Sequence, residues 1–231
     1  MPSLIESGPF TGLVRNGYRV IAADPPWSFK AFSAETGLSR SADRHYHCMN
    51  LEDIKALPVR DLAAKDCALL MWVTDPILKQ AMEVVEAWGF KYSTVGYYWA
   101  KTNMDGVTPS TGMGFWTRAN PEQAWAAGID LDDCMSQVHL FTKGHPKRLS
   151  AKVRRLIVSP RREHSRKPDE FFEYTEALVD GPYLELFSRE ARPGWTTWGN
   201  QVGFFRRAEW DDRLDPDARF LVDGDPYGGL V

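Results

Sequence analysis

Directly after an apolar run that ends at Ala23 stand four residues, Asp24-Pro25-Pro26-Trp27, whose types together could handle an amino group. An ionised carboxylate only accepts hydrogen bonds. Two consecutive prolines fix an extended backbone, contribute no N–H, and leave their carbonyls free to accept. Trp27 adds a flat apolar face on which a nucleobase can stack, worth about 1–3 kcal/mol per base. The exocyclic amine of adenine is a poor nucleophile because its lone pair is delocalised into the ring. Acceptors that draw on its hydrogens localise that pair, and Asp24 and the Pro25 carbonyl are suited to this. The matching reaction is methyl transfer from the sulfonium of S-adenosylmethionine, an in-line displacement governed by positioning and electrostatics. The competing reading of the tetrapeptide is a surface turn, since Asp-Pro often initiates turns.

A second feature points to a polyanion. Between Lys143 and Lys167 lie ten Lys/Arg residues, among them Lys147, Arg148, Lys152, Arg154, Arg155, Arg161 and Arg162, against the single acid Glu163. That density reads as a phosphate footprint, with Lys147, Arg148, Arg154 and Arg155 as substrate contacts and Lys30, Arg40 and Arg44 extending the track; a solvated face is the alternative. The whole chain carries -3, so with this +9 segment set aside the remainder carries -12. Much of that acidity lies in Asp211, Asp212, Asp215, Asp217, Asp223 and Asp225. A basic track in an acidic body predicts salt-sensitive binding on one face and excludes a generally sticky cationic binder. No metal site is expected: His45 and His47 lack a third ligand nearby, and Cys48, Cys67 and Cys134 form no CxxC.

The elements that must position these residues follow from pattern. The chain has 231 residues, 43% hydrophobic and 26% charged, enough for one domain with its own core. No apolar run is long enough to span a bilayer and the N-terminus lacks a signal-peptide pattern, so no membrane association and a cytoplasmic protein are expected. Short apolar runs at 18–23, 67–74, 94–100, 138–142 and 183–187 read as strands. They alternate with helical periodicity over 76–88 and from Lys167-Pro168-Asp169-Glu170 onward, which predicts an α/β domain with a largely parallel sheet. In such a sheet the ligand crevice lies beyond the carboxyl ends of the strands, where Asp24 would be delivered. Two long stretches, 28–50 and 103–137, are expected to flank that crevice. We expect a single domain over 1–205 and an acidic tail over 206–231.

The landmarks ADPPW, Tyr46 and Met49, LLMWVT at 69–74, AWGF at 87–90 and WAKTN at 99–103 come in one order. REHSRKPDE at 162–170, LELFSRE at 184–190 and GWTTWGNQ at 194–201 follow. In this the sequence resembles the MT-A type of N6-adenine methyltransferase, which includes the mRNA adenosine enzymes and bacterial and phage DNA relatives. The resemblance implies a Rossmann-like S-adenosylmethionine-dependent fold in permuted order, with the catalytic strand before the cofactor strand. It places Asp24 at the substrate amine and near the cofactor's methionine ammonium, with Pro25 and Pro26 beside it and Trp27 and Tyr46 at the base. It assigns Lys167 to the cofactor's methionine part, Glu185 and Arg189 to a charged pair near the cofactor, and Asn200 and Gln201 to its ribose. Independently, a cation at a helix start is disfavoured by the dipole, so Lys167 asks for a carboxylate partner.

The sequence departs from the family pattern after Arg189, where Glu190-Ala191-Arg192 stands in place of the mRNA enzymes' ribose-binding histidine and asparagine. The family's glutamate after the Trp-x-Arg stretch is either Glu122, followed by an insertion, or replaced around Gln137. Gly112-Met113-Gly114 is a weak phosphate cradle, since no helix signal follows it. The expected partner is DNA, with RNA second because no added RNA-binding module is visible. A paired adenine must be flipped out or single-stranded to react. A cytosine N4-methyltransferase and a non-catalytic nucleic-acid-binding subunit are the other readings, though retention of DPPW speaks against the latter; a homodimer is left open.

Overall fold

The computed structural model of the protein describes residues 3–28, 48–103, 135–163, 165–207 and 209. Tyr46, Lys30, Arg40, Arg44, Gly112-Met113-Gly114, Glu122 and the acidic residues from Asp211 onward lie outside the described residues. Seven strands, β1 (Tyr18–Ala23), β2 (Ala63–Val73), β3 (Lys91–Thr102), β4 (Met135–Lys143), β5 (Leu156–Pro160), β6 (Tyr183–Leu186) and β7 (Trp195–Trp198), form one sheet. Their order is β5-β3-β4-β2-β1-β6-β7. β1 runs parallel to β2 and β6, β6 to β7, and β3 to β5, while β4 is antiparallel to both β2 and β3. The sheet is therefore mixed: β4 alone is reversed, so it starts at the end where its neighbours finish.

β1 lies at the centre of the parallel half, and past the exposed Arg19 it is apolar and buried from Val20 to Ala23 because both faces are covered there. Ile21 and Ala23 face one cluster with Leu69, Met71, Leu184 and Leu186, against which α1 (Leu51–Ala56) and α2 (Leu78–Ala87) pack. Val20 and Ala22 face the other with Leu70, Trp72 and Tyr97, covered by Phe171 and Phe172 of α3 (Asp169–Leu178). The result is a three-layer α/β domain with β1 threaded through its middle. Among the described residues no helix is long and apolar enough to cross a membrane.

The ends of the helices obey local chemistry. Asn50 caps α1, its Oδ1 accepting the Asp53 N–H at 2.9 Å. After α2 the chain turns through Gly89 at φ 81°, a left-handed position glycine occupies without strain, and the Phe90 N–H closes on the Val85 carbonyl at 3.0 Å.

Sequence pattern did not reveal the N-terminal segment as part of the core. Ile5, Phe10 and Leu13 belong to the α1/α2 side of the core, the Trp198 Nε1–H donates to the Pro9 carbonyl at 2.8 Å, and the Phe10 and Trp198 rings meet edge to face at 4.9 Å. This segment braces β7 from below the crevice. Replacing the fully buried Phe10 in Phe10→Ala should lower unfolding free energy by about 3–5 kcal/mol, the usual cost of a buried Phe-to-Ala cavity, read from the urea midpoint. A loss under about 1 kcal/mol would show that the segment is not part of the cooperative core.

Candidate active site

Ala23, the last residue of β1, is in register with Met71 of β2 and Leu186 of β6, and Leu186 with Trp198 of β7. One residue further, Asp24, Trp72, Phe187 and Gly199 stand in a row at the carboxyl edge of four parallel strands. That is the crevice position expected from the α/β pattern. At Gly199 a Cβ would lie 2.6 Å from the Ser188 carbonyl, so only glycine lets β7 close onto the end of β6 there.

The loop after Asp24 is tied down by its own backbone. The Trp27 N–H donates to the Pro25 carbonyl at 2.8 Å, and the Met49 N–H to the Pro26 carbonyl at 2.9 Å. The proline carbonyls are therefore not free, as expected from sequence, but already half-used; each keeps one lone pair. Pro25 is buried and Trp27 is only 8% exposed, packed among the α1/α2-side core residues. As placed, Trp27 offers no open stacking face. It offers instead a buried Nε1–H with no hydrogen-bond partner among the described residues.

Lys167 finds its carboxylate: its Nζ donates to Asp24 Oδ2, and also to the Ser165 carbonyl at 3.1 Å, and it lies 5.3 Å over the Trp72 ring. Lys167 immediately precedes Pro168, the N-cap of α3, so the pair joins the end of β1 to the start of α3. The sequence points to the cofactor for this carboxylate; in the structure Asp24 supplies it.

Around this pair lies a network that sequence spacing did not reveal. Asp169, in the first turn of α3, receives Arg162 Nη1 at 3.1 Å, Arg192 Nη2 at 2.8 Å and Arg207 Nη2 at 2.7 and 2.8 Å. Glu190 receives Arg166, Arg207 Nε at 2.9 Å and Arg192 Nη2 at 3.4 Å. Burial alone would raise the Asp169 carboxyl, but hydrogen bonds from Arg192 and Arg207 and the charge of Arg162 hold it down at about 2. Glu190 and Arg192, which depart from the family pattern, are both 8% exposed and committed to this network, with Arg192 also 3.8 Å over the Phe172 ring. Arg207 is tied to the domain by these contacts.

Glu185, on β6, is pushed up to about 7, first by burial, opposed by Ser188 and by the charges of Arg192 and Lys167. The structure does not set it against Arg189, whose guanidinium instead lies 4.3 Å over Phe204 and 4.8 Å over Phe205. The Ser188 hydroxyl stands 2.8 Å from both Glu185 Oε2 and the Glu190 carbonyl. It has one hydrogen for two acceptors, and a protonated Glu185 donating to Ser188 Oγ resolves the conflict. Asn200, exposed, and Gln201, half-buried, follow Gly199 at the edge of the row. Gln137 donates to Asp75 Oδ1 at 2.9 Å where β4 begins.

The basic run divides. Arg162, Arg166 and Lys167 reach the crevice but are occupied by carboxylates there. Lys147 and Arg148 lie in the connection that leaves the far end of β4, held where the His145 N–H meets Asp66 at 2.8 Å and the Leu149 N–H meets the Leu178 carbonyl at the carboxyl end of α3, also 2.8 Å. Arg154 and Arg155 stand at the foot of β5, the outer strand, four strand spacings or about 19 Å from β1. Of the four expected substrate contacts none is brought to Asp24. The reversal of β4 carries Lys147 and Arg148 to the opposite end of the sheet, whereas Arg154 and Arg155 precede Leu156, which is level with Tyr98, Gln137 and Val73, and are separated from Asp24 sideways by the intervening strands.

A family model described as MT-A70 matches residues 18–201. The chain is 29% identical over 218 residues to the Type II methyltransferase M.MunI of a Mycoplasma species, covering 84% of this chain and 81% of that one. It is 28% identical over 205 residues to the human N(6)-adenine-specific methyltransferase METTL4, covering 85% of this chain and 40% of that protein. It is 29% identical over 209 residues to the human N(6)-adenosine-methyltransferase catalytic subunit METTL3, covering 88% of this chain and 30% of that protein.

The environment of Glu185 has a measurable consequence. Its carboxyl titrates near 4.5 ordinarily and near about 7 when folded, so the folded protein holds the extra proton between those values. Its contribution is intact below pH 4.5 and is lost as pH rises through about 7, with a slope of up to about 1.4 kcal/mol per pH unit. Glu185→Gln should remove this share of the slope. Urea midpoints of the two proteins without cofactor, compared from pH 4.5 to 7.5, should draw apart as pH rises; parallel curves would contradict the buried, protonated carboxyl.

Proposed function

The chain belongs to the MT-A70 methyltransferase family, and from that premise we propose that it transfers the methyl group of S-adenosylmethionine to the N6 amino group of adenine in DNA. The observation that carries the proposal is the Asp24–Lys167 pair at the carboxyl edge of β1, between the DPPW loop and the α3 start. A carboxylate and an ammonium side by side match the two charges of a free amino acid. Asp24 would take the cofactor's ammonium and Lys167 its carboxylate, with Glu185, Asn200 and Gln201 along the same edge for the nucleoside part. When bound, S-adenosylmethionine supplies an electrophilic methyl on sulfur.

The chain's own residues then orient the acceptor. The remaining oxygen of Asp24 accepts one N6 hydrogen and the spare lone pair of the Pro25 carbonyl accepts the other, which localises the nitrogen lone pair and fixes the amine in line. With the methyl group passed from sulfur to nitrogen, Asp24 would be placed to take up the surplus N6 proton. The backbone hydrogen bonds on the Pro25 and Pro26 carbonyls and the Lys167 contact on Asp24 hold these acceptors in place, the condition under which directed hydrogen bonds count most. Tyr46 and the Trp27 wall would hold the base. DNA is favoured because the likeness runs across most of both chains for the Type II enzyme, whereas it spans under half of the two human proteins.

The test is incubation of the purified protein with labelled S-adenosylmethionine and either DNA or RNA, followed by nucleoside mass spectrometry. Label should appear in N6-methyladenine of DNA, and Asp24→Ala should lower the rate by roughly 100- to 1000-fold. Label confined to RNA would move the substrate to RNA. No N6-methyladenine in either polymer, or an Asp24→Ala protein as active as the original, would overturn the proposal.

A further inference from the structure

We propose that Arg207 is a positioning residue for Lys167, a latch by which the segment beyond the matched family region sets the cofactor site. The proposal rests on Lys167 holding the cofactor, as argued above. The contacts form one chain. Arg207 Nη2 reaches both oxygens of Asp169 at 2.7 and 2.8 Å while its Nε donates to Glu190 at 2.9 Å. Asp169 so held meets Arg162 Nη1 at 3.1 Å, and the other Arg162 nitrogen donates to the main-chain carbonyl of Lys167. Lys167 then places its ammonium on Asp24.

The Lys167 ammonium is also steadied by the Ser165 carbonyl and the Trp72 ring, while its main-chain carbonyl is held by Arg162. Pro168 follows Lys167 without an N–H and makes no side-chain cap bond to α3, so the helix start itself does not restrain the lysine. The segment carrying Arg207 is docked independently of it: the Phe205 N–H donates to the Arg189 carbonyl at 3.0 Å, and Arg166 and Arg189 lie over the Phe205 ring at 5.2 and 4.8 Å. The network is also redundant in charge. Without Arg207, Asp169 keeps Arg162 and Arg192, and Glu190 keeps Arg166 and Arg192. No buried carboxylate is left unpaired, so losing Arg207 changes where Asp169 and Arg162 sit more than whether the domain folds. A lysine cannot replace it, because one ammonium cannot span Asp169 and Glu190 as the guanidinium fork does. Arg207 lies six residues past the matched family stretch, and two of its neighbours in the network are Glu190 and Arg192, where this chain departs from the family pattern.

Arg207→Ala and Arg207→Lys should be compared with the original protein by calorimetric titration with S-adenosylhomocysteine, alongside thermal melts. The latch predicts roughly tenfold weaker binding for Arg207→Ala, an intermediate loss for Arg207→Lys, recovery of Arg207→Ala on adding methylguanidinium, and a melting temperature shifted by only a few degrees. Unchanged affinity in Arg207→Ala overturns the latch while leaving the proposed function standing. If Arg207→Ala does not fold, Arg207→Lys decides, and wild-type affinity there overturns it. An original protein that binds no S-adenosylhomocysteine overturns the functional reading and the latch with it.

Discussion

The ion pair between Asp24 and Lys167 is the contact on which the rest of the site depends. Its worth is not in stability, because a half-exposed pair of this kind typically contributes about 0–1 kcal/mol. Its worth is in registry. Asp24 belongs to the strand at the centre of the parallel half of the sheet, and Lys167 to the start of the helix that covers one face of that sheet. The pair fixes the one point where strand end, helix start and the DPPW loop meet.

What surrounds the pair explains why the point does not drift. Four arginines share the half-buried Asp169 and the buried Glu190, and the choice of arginine is physical: a guanidinium can bond two oxygens at once and lie flat on an aromatic ring, as Arg192 does on Phe172. On the strand side, Ala23 is held between Met71 and Leu186, and the Pro25 and Pro26 carbonyls each receive a backbone N–H. Both partners of the pair thus arrive from rigid supports, the condition for directed hydrogen bonds to do chemistry.

The family and the core of the site were legible in sequence because they depend on local pattern. A strand segment buried on both faces is continuously apolar, as Val20–Ala23 is, so the end of β1 stood out and Asp24 followed from it. A helix-start lysine implied a carboxylate. Three things were not legible. β5 and β7 are short, β5 sits between arginines and β7 has only four residues, so neither shows a period. The reversal of β4 is decided by pairing across the sheet, and it carried Lys147 and Arg148 to the end opposite the crevice. The network joins Asp169 to Arg207 across 38 residues, a separation no local rule reads. The carbonyls and ring of the DPPW loop were legible as residue types, yet their availability was set by a turn and a bridge to Met49 that only the folded chain shows.

The most direct test of this account is a crystal structure of the protein with S-adenosylhomocysteine. The account predicts that the ligand's amino-acid end enters at the carboxyl edge of β1 and separates the pair, with its ammonium on Asp24 and its carboxylate on Lys167. A ligand bound elsewhere with the Asp24–Lys167 pair intact would contradict it.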